Sequence, residues 1–220
     1  MKLETMRVKT RLLQLLWVFF LFFWTLVVLI LVWGSLRHFA PWKAPSIFLQ
    51  SRTEHYAYFL PALYLHIFSS PLVLLLGSWS LWPALRSYSS RLHRLLGKSY
   101  VLLILLGAAP SGFVMAFLAL GGWAGRLCFL LLSFLWAGMT WRAWRLAVQG
   151  NWEGHQAFMW RSFALTTSAF FLRFFSFLGA YYWQLQGADV YVLFAWGSWL
   201  FPLILVELLL RYRKRASTVL

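Results

Sequence analysis

Six stretches of the chain are each long and apolar enough to cross a bilayer as a helix, and nothing else in the sequence constrains the fold as strongly. A bilayer core takes about 20 apolar residues in helical form. The stretches cover about 12–33, 56–85, 92–120, 126–147, 155–183 and 190–210. Only 11% of the residues are charged and 62% are hydrophobic, where a soluble domain has about a quarter charged. Too few polar side chains remain to cover a water-facing surface. A soluble enzyme, a disordered chain and an ordinary DNA-binding domain are therefore excluded. The expected fold is all-α: a polytopic membrane helix bundle of six transmembrane helices, one domain over 1–220 with its motif-bearing core at about 56–183. The first stretch is too long for a signal-peptide core and lacks a small-residue cleavage site, so it is read as a helix. Pro61 and Pro71 mark a candidate kink in the second stretch, and Gly121, Gly122 and Gly125 a short turn after the third.

The net charge of +15 is unevenly placed. Fifteen of the 20 Lys and Arg residues fall before the first stretch, between the second and third, around the fourth-to-fifth turn, or after the last. Positive charge concentrates on the cytoplasmic side, so both termini are expected there, in a multi-pass protein of the bacterial inner membrane. The same charge would anchor the chain to an anionic lipid face; no nucleic-acid partner is expected. The long opposite loop, 35–55, carries Pro41, Trp42, Pro45 and Phe48 and suits a segment lying at the interface. A single Cys, Cys128, excludes an intrachain disulfide or a Cys-cluster metal site and is read as packing.

Ionisable groups inside a membrane are costly and default to functional candidates. They are His66, Arg173 and Glu207, with His93, His155 and Arg161 near the basic edge. Glu207 sits one turn before Arg211, which suggests an i,i+4 ion pair. His155, Ser162, Thr166 and Arg173 form a polar stripe if the fifth stretch is one straight helix, since eighteen residues are five turns. Either the stripe binds a ligand, or its hydroxyls bond across helices and Arg173 caps carbonyls. In the third stretch His93, Gly97, Tyr100, Ile104, Gly107 and Ser111 share a face. Gly97, one turn past His93, leaves room for a flat group or for a close neighbouring helix. His93 and His155 pair by depth. His66, with Ser69 and Ser70, lies roughly 20–30 Å away along the bundle at 1.5 Å per residue and, with Arg173, could form a second polar region. His38 and His55 are assigned to the surface.

Three separated motifs carry a resemblance. Leu65-His66 is followed by the run from Leu92-His93-Arg94 through Gly97 to Tyr100-Val101. Then come His155-Gln156-Ala157-Phe158-Met159-Trp160-Arg161-Ser162-Phe163-Ala164-Leu165-Thr166 and Leu172-Arg173. Together they resemble a bacterial membrane family known as domain of unknown function 2306, over about 63–177. Lys98, Phe163 and the order Phe158-Met159-Trp160 depart from that family's usual residues, but no His or Arg is lost. The resemblance implies a multi-helix membrane fold and supplies no activity. A looser likeness is to b-type membrane cytochromes, which open helices with His followed by Gly about a turn later. It implies haem b held by His93 and His155, with His66 as a further ligand or quinone-site group. It also implies Arg94, Lys98 and Arg161 beside the propionates.

Three functions follow as expectations. The first is haem-based electron transport, with quinone as redox partner; the cofactor-binding candidates are His66, His93, Arg94, Gly97, His155, Arg161 and Arg173. The second is a non-catalytic subunit of a larger respiratory or transport complex, its many Trp and Phe making lateral contacts. The third is a small ion or metal transporter. Autonomous hydrolytic activity is not expected: no GxSxG, HExxH or Walker loop occurs, and no acidic pair sits within the spans.

Overall fold

The apolar stretches become helices, and the polar residues between them decide where each helix starts. The computed structural model describes residues 2–39, 50, 53–185 and 187–218. Helix α1 is Lys2–Phe39, followed by a short 3-10 turn, Thr53–His55. Helices α2 (Tyr56–Ser80), α3 (Pro83–Tyr88) and α4 (Ser90–Leu103) come next. A π-helical turn, Ile104–Ala108, carries α4 into α5 (Ala109–Ala116). The remaining helices are α6 (Gly122–Val148), α7 (Trp152–Thr166), α8 (Ser168–Tyr182) and α9 (Ala188–Thr218). No strand occurs among the described residues. The expected interfacial segment around Pro41, Trp42, Pro45 and Phe48 lies outside them, as does the His38 side chain.

Five helical spans are long and apolar enough to cross a membrane alone, and α7 with α8, bent by 40° at their junction, passes the same test as a pair, making up to six. Large apolar side chains face outward along these helices, among them Phe19, Leu106, Phe134 and Leu193. This surface suits lipid rather than water, so the chain is a multi-pass membrane protein in contact with the bilayer.

Three boundaries differ from the sequence expectation. The second span stops at Ser80 rather than near Leu85, because Pro83 opens a separate short helix, where a missing N–H costs nothing. The third is interrupted by the π turn just before Pro110, whose missing N–H weakens the backbone ladder. The fifth is broken at Thr167 and bent by 40°. There Thr167 Oγ1 donates to the Ala164 carbonyl at 2.7 Å and Thr166 Oγ1 to the Ser162 carbonyl at 3.0 Å. Such back-bonding competes with the helix ladder and bends helices. The glycine turn is as expected: Gly121 and Gly122 have φ of 84° and 61°.

The core lies where α2, α4, α6, α7 and α9 meet. Val73, Tyr100, Ile104, Cys128, Trp136, Leu165 and Trp199 form one buried cluster. Gly77 lets α2 approach: a Cβ there would lie 2.7 Å from the Phe163 ring and 2.8 Å from Tyr100. Cys128 is buried, and its sulfur accepts from Trp199 Nε1 at 3.3 Å, consistent with a packing role. Helix α1 is peripheral, docking through α2 and through Trp24 on Phe170 (ring centroids 5.3 Å apart).

Candidate functional site

Two polar helix caps set the basic end. The Ser89 hydroxyl accepts from Leu92 N–H at 3.2 Å and opens α4; the Asn151 side chain accepts from Gly154 N–H at 2.9 Å and opens α7. Each histidine follows its cap by four residues: the His93 N–H donates to the Ser89 carbonyl and the His155 N–H to the Asn151 carbonyl. Helices α4 and α7 run parallel, and a buried hydrogen bond fixes their register: the Tyr100 hydroxyl lies 2.9 Å from Ser162 Oγ. His93 and His155 stand seven residues before these partners, two helical turns, so both are brought to one depth.

The surroundings of the pair are asymmetric. His155 donates from Nδ1 to the Ala143 carbonyl at 2.9 Å, which leaves Nε2 as the free ring nitrogen. The His93 ring lies beside the Ser80 carbonyl, without a well-formed hydrogen bond from its buried Nδ1. At Gly97 nothing lies within 4 Å of the position a Cβ would take. Close helix packing is therefore not what a glycine serves there; the space over it is open. Arg94 and Lys98 are exposed on the same helix.

Arg161 is differently engaged. Its Nε and Nη2 donate to the two carboxylate oxygens of Glu207 at 2.5 and 3.0 Å, a bidentate pair between α7 and α9. The ion pair expected within α9, Glu207 with Arg211, is thus replaced by one between helices, because the guanidinium fork matches a carboxylate edge to edge. Arg142 and Arg161 also lie over the Phe158 ring, 5.0 and 4.8 Å from its centroid.

A hydroxyl cluster occupies the middle of the bundle. Tyr100 also meets Thr166 Oγ1 at 2.9 Å, Trp136 Nε1 donates to Thr166 Oγ1 at 3.0 Å, and Thr140 Oγ1 lies 2.7 Å from Ser162 Oγ. Tyr100, Thr140 and Ser162 are fully buried. Of the two readings of the stripe, cross-helix bonding is what Ser162 and Thr166 show. Trp136 and Thr140 were not foreseen; an indole scores as apolar, and a lone Thr on α6 gives no stripe.

Beyond the cluster, away from the basic end, lies a cavity of 330 Å³ lined by both His66 and Arg173. His66 Nδ1 is 3.0 Å from the Ala108 carbonyl and 3.3 Å from Ser111 Oγ. A carbonyl only accepts, so Nδ1 carries the proton. The ring packs on Gly112, where a Cβ would come within 3.3 Å of it. Arg173 donates to the Ala169 carbonyl at 3.0 Å, the capping that belongs to one of the two readings of the stripe. The bend at Thr167 breaks the straight stripe from His155 to Arg173: His155 belongs to the basic end and Arg173 to the cavity. His66 sits level with Ala108, fifteen residues beyond His93, about 20 Å at 1.5 Å per residue. Thus the histidine pair and the His66–Arg173 region are two separate places. Among the described residues no group of three or more His, Cys, Asp or Glu could hold a metal ion.

The motifs that build both places fall within one family match. A family model described as predicted membrane protein, DUF2306, matches residues 63–210. The chain belongs to the DUF2306 family. The match takes in α2 from Leu63 through most of α9, and so includes every histidine and arginine of the two sites. Neither a curated protein nor a solved structure matches the chain.

Proposed function

We propose that this DUF2306 member is a membrane redox protein that holds b-type haem between His93 and His155, with the basic end facing the cytoplasm of a bacterial cell. The observation that carries the reading is the register fixed by Tyr100 and Ser162, which sets two imidazoles at one depth on parallel helices. The donor set fits. A bis-histidine site takes neutral imidazoles from neighbouring helices. Ligating histidines hand their other ring N–H to a carbonyl, as His155 does to Ala143. The Ser80 carbonyl beside His93 would take its other ring N–H in the same way, and nothing lies within 4 Å of the Cβ position at Gly97.

Bound there, the group would supply one-electron transfer. The residues of this chain would do the rest. Ala143 orients His155, Ser80 borders His93, and Arg94 and Lys98 offer cations to the carboxylates at the edge. Arg161 is committed to Glu207 and would act by fixing α7 against α9. The Tyr100 cluster would hold the two helices in register.

The test is an absorption spectrum of the protein purified in mild detergent from haem-replete cells, oxidised and then reduced with dithionite. A Soret band with sharp reduced α and β bands is expected. A colourless preparation overturns the reading; fixed copurifying membrane proteins would then favour an accessory subunit instead.

A further inference from the structure

The cavity lined by His66 and Arg173 is a separate problem from the histidine pair. Its walls are mostly apolar, with residues such as Phe59, Leu74, Met115 and Leu132 around a few polar groups. His66 lies ten residues into α2 and Arg173 nine residues before the end of α8, so both sit about 14 Å from the non-basic end at 1.5 Å per residue. Among the described residues lining it, Arg173 is the one that carries a fixed charge, and none is a carboxylate; the Arg173 side chain is partly exposed at the cavity's edge rather than sealed inside. The Arg161–Glu207 salt bridge lies elsewhere.

An arginine at membrane depth is costly unless something balances it. The Ala169 carbonyl occupies Nη1, and a guanidinium carries five N–H donors in all. A second polar atom is unmatched: Ser70 Oγ, on another wall, is buried without a hydrogen-bond partner. With its Nδ1–H given to Ala108, His66 keeps Nε2 as an acceptor. An inorganic anion would satisfy the guanidinium but waste the apolar walls. An apolar molecule would fill the walls and leave the guanidinium unbalanced.

We propose that this cavity binds an amphiphile with a single anionic head, the head against Arg173 and the apolar body along the α2 and α5 walls. An acidic head that keeps one hydroxyl, such as a phosphate monoanion, also suits the acceptor on His66. A carboxylate satisfies Arg173 alone. The site is a pocket of the size and make-up that small molecules use: concave, apolar and oriented by few polar groups.

The test uses the full-length protein in uncharged maltoside detergent, with thermal unfolding as readout. Decyl phosphate, decanoate and decanol are titrated in parallel. The two anions should raise the unfolding temperature saturably, decyl phosphate at least as tightly as decanoate, and decanol should do so at least tenfold more weakly. Arg173→Gln should weaken the anions at least tenfold, Arg173→Lys should retain most of the effect, and Ser133→Leu should block the cavity to all three. Equal stabilisation by decanol, or an unchanged response in Arg173→Gln, overturns the proposal. If Arg173→Gln does not fold, the comparison of the three ligands on the unaltered chain decides alone. His93→Ala should bind the anions normally, so this site stands or falls apart from the haem.

Discussion

Tyr100 on α4 touches both α2 and α7. Its ring packs on Gly77, and its hydroxyl ties α4 to α7 through Ser162 and Thr166. Tyr100→Phe should cost only about 1 kcal/mol, because Ser162 keeps Thr140 and Thr166 keeps Trp136 as partners. Gly77→Ala should cost more, about 1–3 kcal/mol, since its methyl must displace two buried rings. Thermal unfolding of both variants in the same detergent checks the order; a Tyr100→Phe loss exceeding that of Gly77→Ala would count against the cluster as described. The histidine and glycine positions were legible at this scale because a His in an apolar run is rare enough to stand out. Trp136 and Thr140 were not, since neither residue is unusual alone and only the fold brings them to Thr166 and Ser162.

At the scale of helices, apolar length alone located nearly every span. Two boundary shifts followed Pro83 and Pro110, which stand in the sequence; the other differences came from interactions that spacing does not encode. Glu207 and Arg161 are 46 residues apart, so the local pair with Arg211 looked better on the sequence. The pair now joins α7 to α9, and a double-mutant cycle on Arg161→Gln and Glu207→Gln should give a coupling of about 1 kcal/mol. The figure is modest because the Glu207 side chain is 35% exposed. A coupling indistinguishable from zero would mean that the pair does not fix these helices. The break at Thr167 was hidden because neither Pro nor Gly marks it. The run Thr166-Thr167-Ser168 was the available signal, as hydroxyl residues that can bond back to the helix carbonyls.

Across the whole molecule, the charge pattern and the two sites give one polarity. Fifteen of 20 Lys and Arg residues follow the end at which His93, His155 and the Arg161–Glu207 pair gather, while the cavity lies toward the other. If positive charge faces the cytoplasm, a fluorescent protein fused after Leu220 should fluoresce and alkaline phosphatase fused there should be inactive. The reverse result would turn the histidine pair outward. The most direct measurement is the haem content of three single variants, His93→Ala, His155→Ala and His66→Ala, read from the Soret band per mole of purified protein. The bis-histidine account predicts that the first two lose the band and that His66→Ala keeps it. Loss in His66→Ala with retention in His93→Ala would contradict it.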